Sequence, residues 1–296
     1  MRTAFINQLI HEAEKDNNIF LIVGDLGYSV VEPFRDQFPD RFLNAGVAEQ
    51  NMTSLASGLA MEGYTVFTYS IANFPTLRCM EQIRYDVCYH NLNVKIIAVG
   101  GGYAYGSLGA SHHATEELGM LRTIPNLIVC APGDPSEAKT VTSQICRQQG
   151  PAYIRLGKAG EPDVPACTET FAFGMCHTII NGNKTAILST GAMLKYSYDH
   201  IHYNNLGWGL YSFPYVKPID KTSLITIAKN YESIITIEEH QRQAGFGSAI
   251  LESFHDLLES GKIESIPNIK RIAIPDTFIN VSGTQEHLRK LAGIKF

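Results

Sequence analysis

Short apolar runs alternate with longer stretches of helical period along this chain. That is the pattern of a parallel sheet covered by helices. Ile19–Val23 reads as a strand, followed by the polar turn Gly24-Asp25-Leu26-Gly27. Arg41–Ala45 reads as a short strand ending at Gly46, and Val47–Met61 as a helix rich in Ala, Ser and Gly. Tyr64–Tyr69 is an expected strand, Leu77–Tyr89 an expected helix, and Val94–Val99 a strand whose nearly unbroken apolar run suits burial on both faces. A glycine-rich loop, Gly100–His113, leads to a helix at Thr115–Thr123 and a strand at Leu127–Ala131. Pro132-Gly133-Asp134-Pro135 stops that strand and starts a helix near Ser136, and Ala152–Leu156 is the last strand of the series.

Gly, Pro and charged residues cluster over 157–165 and mark a boundary. A second series follows, with strands at Thr185–Ser189, Trp208–Phe213, Ser233–Ile237 and Ile269–Ile274. Its helices are expected at Leu194–Tyr203, Thr222–Lys229, Gly247–Glu259 and Thr284–Leu291. The expected class is α/β, with two doubly wound domains and mainly parallel sheets. The domains span residues 1–160 and 181–296, with a linker over 161–180. The full 296 residues suit two domains at ~100–200 residues each.

Composition narrows the function. The chain is 45% hydrophobic and 18% charged, which is globular. A net charge of −5 argues against a phosphate-backbone binder, so no nucleic-acid partner is expected. No apolar run reaches the ~20 residues of a membrane span, and the first residues lack the apolar stretch of a signal peptide. Six cysteines without a Cys-x-x-Cys pair suit reduced thiols, so a cytoplasmic location is expected and no metal site.

The most informative stretch is Gly46-Val47-Ala48-Glu49-Gln50-Asn51. A carboxylate in a first helical turn is favourable against the helix dipole by ~0.3–1 kcal/mol, and nothing more is needed to explain it. The small-sided helix behind it, however, suits tight packing, which would bury the acid and raise its pKa in the absence of a cation. Gly-x-x-Glu-Gln at a strand-to-helix junction resembles the pyrimidine-binding domain of the transketolase family of thiamine diphosphate enzymes. In that family the glutamate bonds the aminopyrimidine ring of the cofactor and promotes loss of the thiazolium C2 proton. The resemblance makes Glu49 the leading catalytic and cofactor-binding residue.

Ile71-Ala72-Asn73-Phe74 with Glu81-Gln82-Ile83-Arg84 is similar to the family's Phe-x-x-Phe … Asp-Gln-Ile-Arg stretch, whose aromatics stack on the pyrimidine. Phe74 takes the second aromatic position, Ile71 replaces the first, and Tyr69 is the expected substitute. By itself, Phe74 reads equally as core packing. Gly106–His113 with Leu121-Arg122 and Pro125-Asn126 resembles the family's Gly-Glu-Asp-Gly-Pro-Thr-His-Gln … Leu-Arg-x-x-Pro-Asn. His112 thereby matches the histidine that faces substrate, with His113 beside it, although two adjacent histidines also read as a solvated turn. Leu108 stands where ordinary transketolases carry an acid that reads a substrate hydroxyl, which implies a different sugar, deoxygenated or nucleotide-activated. Lys158 and Ser29 match positions near a substrate's terminal phosphate. Gly100-Gly101-Gly102 is the kind of run that cradles phosphate, but no Rossmann fingerprint follows.

Val216-Lys217-Pro218-Ile219-Asp220, Thr236-Ile237-Glu238-Glu239-His240 and Ser282-Gly283-Thr284-Gln285-Glu286 resemble the family's C-terminal domain. Gly245-Phe246-Gly247 reads as turn and packing chemistry. The chain contains no Gly-Asp-Gly, the family's signature for holding the diphosphate through Mg²⁺. The resemblance therefore implies the smaller half of a split transketolase. It would carry a ketol unit between sugar substrates on thiamine diphosphate, associate with itself, and rely on a diphosphate-binding partner chain for Mg²⁺. Two other readings stay open on the sequence. One is a decarboxylating enzyme, like deoxyxylulose-phosphate synthase or the β-type chain of 2-oxoacid dehydrogenases. The other is a non-catalytic regulatory subunit.

Overall fold

Each apolar run expected as a strand before residue 160 pairs into one sheet. The structure, a computed structural model, describes residues 1–166 and 170–296. The first domain runs α1 (Arg2–Ala13), β1 (Ile19–Val23), α2 (Glu32–Gln37), β2 (Phe42–Asn44), α3 (Glu49–Met61) and β3 (Thr65–Ile71). It continues through α4 (Met80–Gln82), which runs on as a π-helix over Ile83–Tyr89, then β4 (Val94–Val99), α5 (Glu117–Arg122), β5 (Ile128–Cys130), α6 (Pro135–Cys146) and β6 (Ala152–Leu156). Strands β1 to β6 pair in parallel in the order β5-β6-β4-β3-β1-β2. The central strands β4 and β6 are buried along their whole length, as mostly apolar runs between two helical layers are, and the charges they carry, Lys95 and Arg155, are buried with them.

The second domain runs β7 (His177–Ile180), β8 (Thr185–Ser189), α7 (Met193–Tyr203), β9 (Gly209–Ser212), β10 (Tyr215–Lys217), α8 (Lys221–Asn230), β11 (Ser233–Gln241), α9 (Phe246–Glu259), β12 (Asn268–Ile274) and α10 (Gln285–Leu291). Its sheet has the order β12-β11-β8-β9-β7, parallel except where β7 meets β9. Strand β10 leaves this domain and pairs antiparallel with β5, so the first sheet has seven strands. The two-domain α/β architecture with mainly parallel sheets is as expected.

Four elements escape the sequence pattern: α1, α2, β7 and β10. Strand β7 lies inside the stretch expected as linker over 161–180, of which residues 167–169 are outside the described residues. It is short and pairs with β9 alone, so it carries little periodic signal. Helix α1 buries Phe5, Ile6, Leu9 and Ala13 and packs against α6. Among the described residues no helix is long and apolar enough to cross a membrane. Cys79, Cys88, Cys130, Cys146 and Cys176 are unpaired, and burial pushes the Cys79 thiol up to about 11.

Candidate active site

Strand β1 lies between β2 and β3, so the chain leaves β1 to one side and returns on the other. Such a switch point opens a crevice beyond the carboxyl ends of the strands. Glu49 sits there. Asn44, at the end of β2, accepts through Oδ1 from the backbone N–H of Asp25 (3.1 Å) and of Gly46 (2.9 Å), which joins the turns after β1 and β2. Gly46 has φ +72°, the left-handed conformation that glycine adopts freely, and this turns the chain into α3. The Glu49 side chain is 1% exposed. Ser70 Oγ, at the end of β3, donates to its Oε1 at 3.3 Å.

The acid is buried as expected, but it has a cation. Arg78 Nη1 lies 3.2 Å from Glu49 Oε2, on a side chain that is 53% exposed. The same guanidinium lies 5.8 Å from the centre of the Phe74 ring. The condition for a raised pKa, a buried acid without a cation, is thus not met. The cation lies four positions beyond Phe74, inside a stretch whose sequence signal is its aromatic spacing and not its charge.

Phe74 is half-buried and meets the His112 ring edge-on at 5.3 Å. His112 Nδ1 lies 3.0 Å from Ser111 Oγ, which orients the ring. Asn73 fastens this loop: its Nδ2 donates to the carbonyls of His113 and, at 3.3 Å, of Ser111. Glu49, Arg78, Phe74 and His112 thus form a continuous series across the carboxyl edges of β1, β3 and β4. Arg78, Ser70 and Asn73 were not singled out from the sequence; Asn73 stood within a quoted motif without a role.

The other expected residues lie elsewhere. Tyr69 precedes Ser70 on β3 and points to the opposite face, where it stacks on Phe5 at 6.1 Å. It is fully buried, and burial pushes its hydroxyl pKa up. Tyr69 therefore does not replace the missing aromatic beside Glu49; strand alternation forbids it. Ile71 is half-buried at the strand end, and its carbonyl accepts from Phe74 N at 2.8 Å. His113 is buried with its ring edge-on to Tyr103 at 5.0 Å, and burial lowers its pKa. It opens on a cavity of about 300 Å³ shared with Asn73, Glu116 and Phe278. Ser29 is exposed, and its backbone N–H donates to Glu32 Oε1. Leu108 is exposed on a short 3₁₀ turn, and Lys158 is exposed beyond β6.

The glycine run after β4 serves packing. A side chain on Gly101 would collide with Arg155, and one on Gly102 with Glu239. Arg155 Nε pairs with Glu117 at 2.9 Å, and Glu239 accepts from Tyr103 N at 2.6 Å and from Arg289 Nε at 2.7 Å. Arg155 Nη2 also donates to the Glu239 carbonyl at 3.0 Å, and with the Tyr103–Glu239 bond this joins the two domains. Gly245-Phe246-Gly247 starts α9 around the Glu238 carboxylate, which accepts from the backbone N–H of Phe246 and of Gly247 at 2.5 and 2.8 Å. The chain's own acid thus fills that helix start. Among the described residues no group of three His, Cys, Asp or Glu side chains is placed to hold a metal ion.

Comparison with known proteins places the whole chain in a family. Residues 1–160 match the family model for the transketolase pyrimidine binding domain, and residues 174–296 that for the transketolase C-terminal domain. The chain belongs to the transketolase family. It is 33% identical, over 99% of its length and 92% of the other's, to a putative transketolase C-terminal section from Methanocaldococcus jannaschii. It is 30% identical, over 90% of its length and 87% of the other's, to one of the subunits of an apulose-4-phosphate transketolase from Phocaeicola vulgatus. Among solved structures it matches a split gene transketolase, described as an inactive β4 tetramer, with a TM-score of 0.84 at 28% identity, covering 99% of this chain and 93% of that one.

Proposed function

We propose that this chain is the smaller subunit of a two-component transketolase, transferring a two-carbon ketol unit between sugar or sugar-phosphate molecules with thiamine diphosphate. The observation that carries this reading is Glu49, buried at the switch point within one series with Phe74 and His112. These side chains suit the pyrimidine end of the cofactor: a shielded carboxylate for a ring nitrogen and a half-buried aromatic for a ring face. When bound, thiamine diphosphate supplies the carbanion chemistry that amino-acid side chains lack.

Glu49 would hold and exchange a proton at its carboxylate, with Ser70 fixing Oε1. Phe74 would support the ring by stacking. His112, oriented by Ser111, would bond a substrate carbonyl oxygen, and Asn73 would keep its loop in place. If Leu108 faces the substrate, as its place in the motif implies, it offers no acceptor to a sugar hydroxyl, which favours a substrate lacking one there. No Gly-Asp-Gly occurs in the sequence, so Mg²⁺ and the diphosphate would be held by a partner chain.

The same reading has the chain associate with itself through α3. Val47 before it and Leu55 and Met61 on it are exposed, and the space beside Gly58 is open. Tyr85 and Tyr89 are exposed on the neighbouring π-helix. An α₂β₂ assembly would cover this surface. The test is reconstitution. The chain should show no ketol transfer alone and should gain it on addition of a ~250–300-residue diphosphate-binding partner of the size that completes the fold. Transfer by the chain alone would overturn the two-component reading. Release of CO₂ from pyruvate in place of transfer would overturn the reaction.

A further inference from the structure

A charged cleft between the two domains lies outside the series built on Glu49. It measures about 790 Å³, within the size range of small-molecule sites. One wall is first-domain backbone at Gly133 and the loop 158–162; the other is α7, α10 and the segment after it. Glu49, Phe74 and His112 do not line it. The cleft stands at the carboxyl end of β8, which lies between β9 and β11, so it is the switch point of the second sheet.

Its charge is unbalanced. Lys195 is neutralised by Asp199 at 2.6 Å, Arg289 by Glu239, and Glu161 by the Met1 amino group at 3.1 Å. Lys158, Lys290 and Lys295 form no ion pair with a described residue, and Glu286 is the one unmatched acid on the walls. Helix α7 starts on the wall at Ala192 with no side-chain cap, which adds the positive end of an 11-residue helix. Small residues, Ala159, Gly160 and Gly293, leave room between the cations.

We propose that this cleft binds a small phosphorylated molecule, held by Lys158 from the first domain and by Lys290 and Lys295 from the second. Lys158, expected at the phosphate end of a substrate, thereby belongs to a site walled by the second domain. A ligand there touches both domains and is well placed to fix their relative position. The inference is independent of the reading of Glu49, because it uses none of those residues.

The test is calorimetric titration of the full chain with inorganic pyrophosphate at low ionic strength. Saturable binding near one equivalent is expected. Lys290→Glu with Lys295→Glu should weaken it at least ~10-fold, and so should Lys158→Glu on the facing wall. Lys229→Glu with Lys262→Glu, the same charge change outside the cleft, should leave it within about twofold, since distant exposed charges are screened. Three results would overturn the proposal: no saturable binding, equal loss in the control pair, or binding that survives reversal on either wall.

Discussion

Glu49 is held at the residue scale by two unequal partners. Ser70 is buried and offers a long hydrogen bond, whereas Arg78 reaches in from a half-exposed position and brings a full charge. A pair with one solvent-facing member is worth less than a buried one, because water screens it. Removing the cation from a carboxylate that stays buried is nevertheless unfavourable. Arg78→Ala should lower stability, and Glu49→Gln should relieve most of that loss. A double-mutant cycle by urea unfolding is expected to give a coupling of about 0.5–1.5 kcal/mol. Zero coupling would show that the two side chains do not interact in solution. Arg78 also lies 5.8 Å from the centre of the Phe74 ring, so on the proposed reading its displacement is a local change expected on cofactor docking.

At the scale of elements, β1, β4, β6 and β8 were legible in the sequence to the residue, because their mostly apolar runs are bounded by polar or turn residues. Strand β10 was not, since three residues, one of them a lysine, carry no period, and its pairing with β5 is set by the other domain. Glu49, Phe74 and His112 were singled out through the resemblance of their local motifs to those of the family. Arg78 and Asn73 were not, because their value comes from contacts with other elements. The same limit hid Glu238, whose meaning lies in the start of α9. Burial pushes its pKa up to about 7, while burial lowers the neighbouring His240 to about 4. His240 is therefore neutral at neutral pH, and its Nε2 accepts from Gly119 N across the domain boundary. The signs oppose. Between pH 4.5 and 7 the folded chain holds a proton on Glu238 that the unfolded chain releases, so this group's contribution falls as pH rises. Between about pH 4 and 6.5 the unfolded chain protonates His240 and the folded chain does not, so that contribution rises. Glu238→Gln removes the first slope alone. The stability of wild type relative to Glu238→Gln should thus drop by about 1–3 kcal/mol from pH 4.5 to 7. A flat difference across that range would show that Glu238 titrates normally.

At the scale of the whole molecule, two switch points face different tasks. The first holds a buried acid and a ring surface; the second holds unmatched cations. Buried polar contacts join the two domains: Arg155 Nη2 donates to the Glu239 carbonyl at 3.0 Å, Glu239 accepts from Tyr103 N at 2.6 Å, and Glu137 Oε1 lies 2.9 Å from His177 Nδ1. Strand β10 ties the second domain into the first sheet. The domains therefore form one body that presents the Glu49 series on one side, and the sequence holds no Gly-Asp-Gly. The most direct test of this division of labour is deuterium exchange at C2 of thiamine diphosphate. It would be measured with the chain alone, with the chain and its diphosphate-binding partner, and with that pair carrying Glu49→Gln. Fast exchange is expected only in the wild-type pair, slowed at least ~100-fold by Glu49→Gln, the scale of a positioned acid–base group, with thermal stability little changed. Fast exchange in the chain alone, or exchange in the pair that ignores Glu49→Gln, would contradict the assignment of Glu49 and of the chain as half of a two-component enzyme.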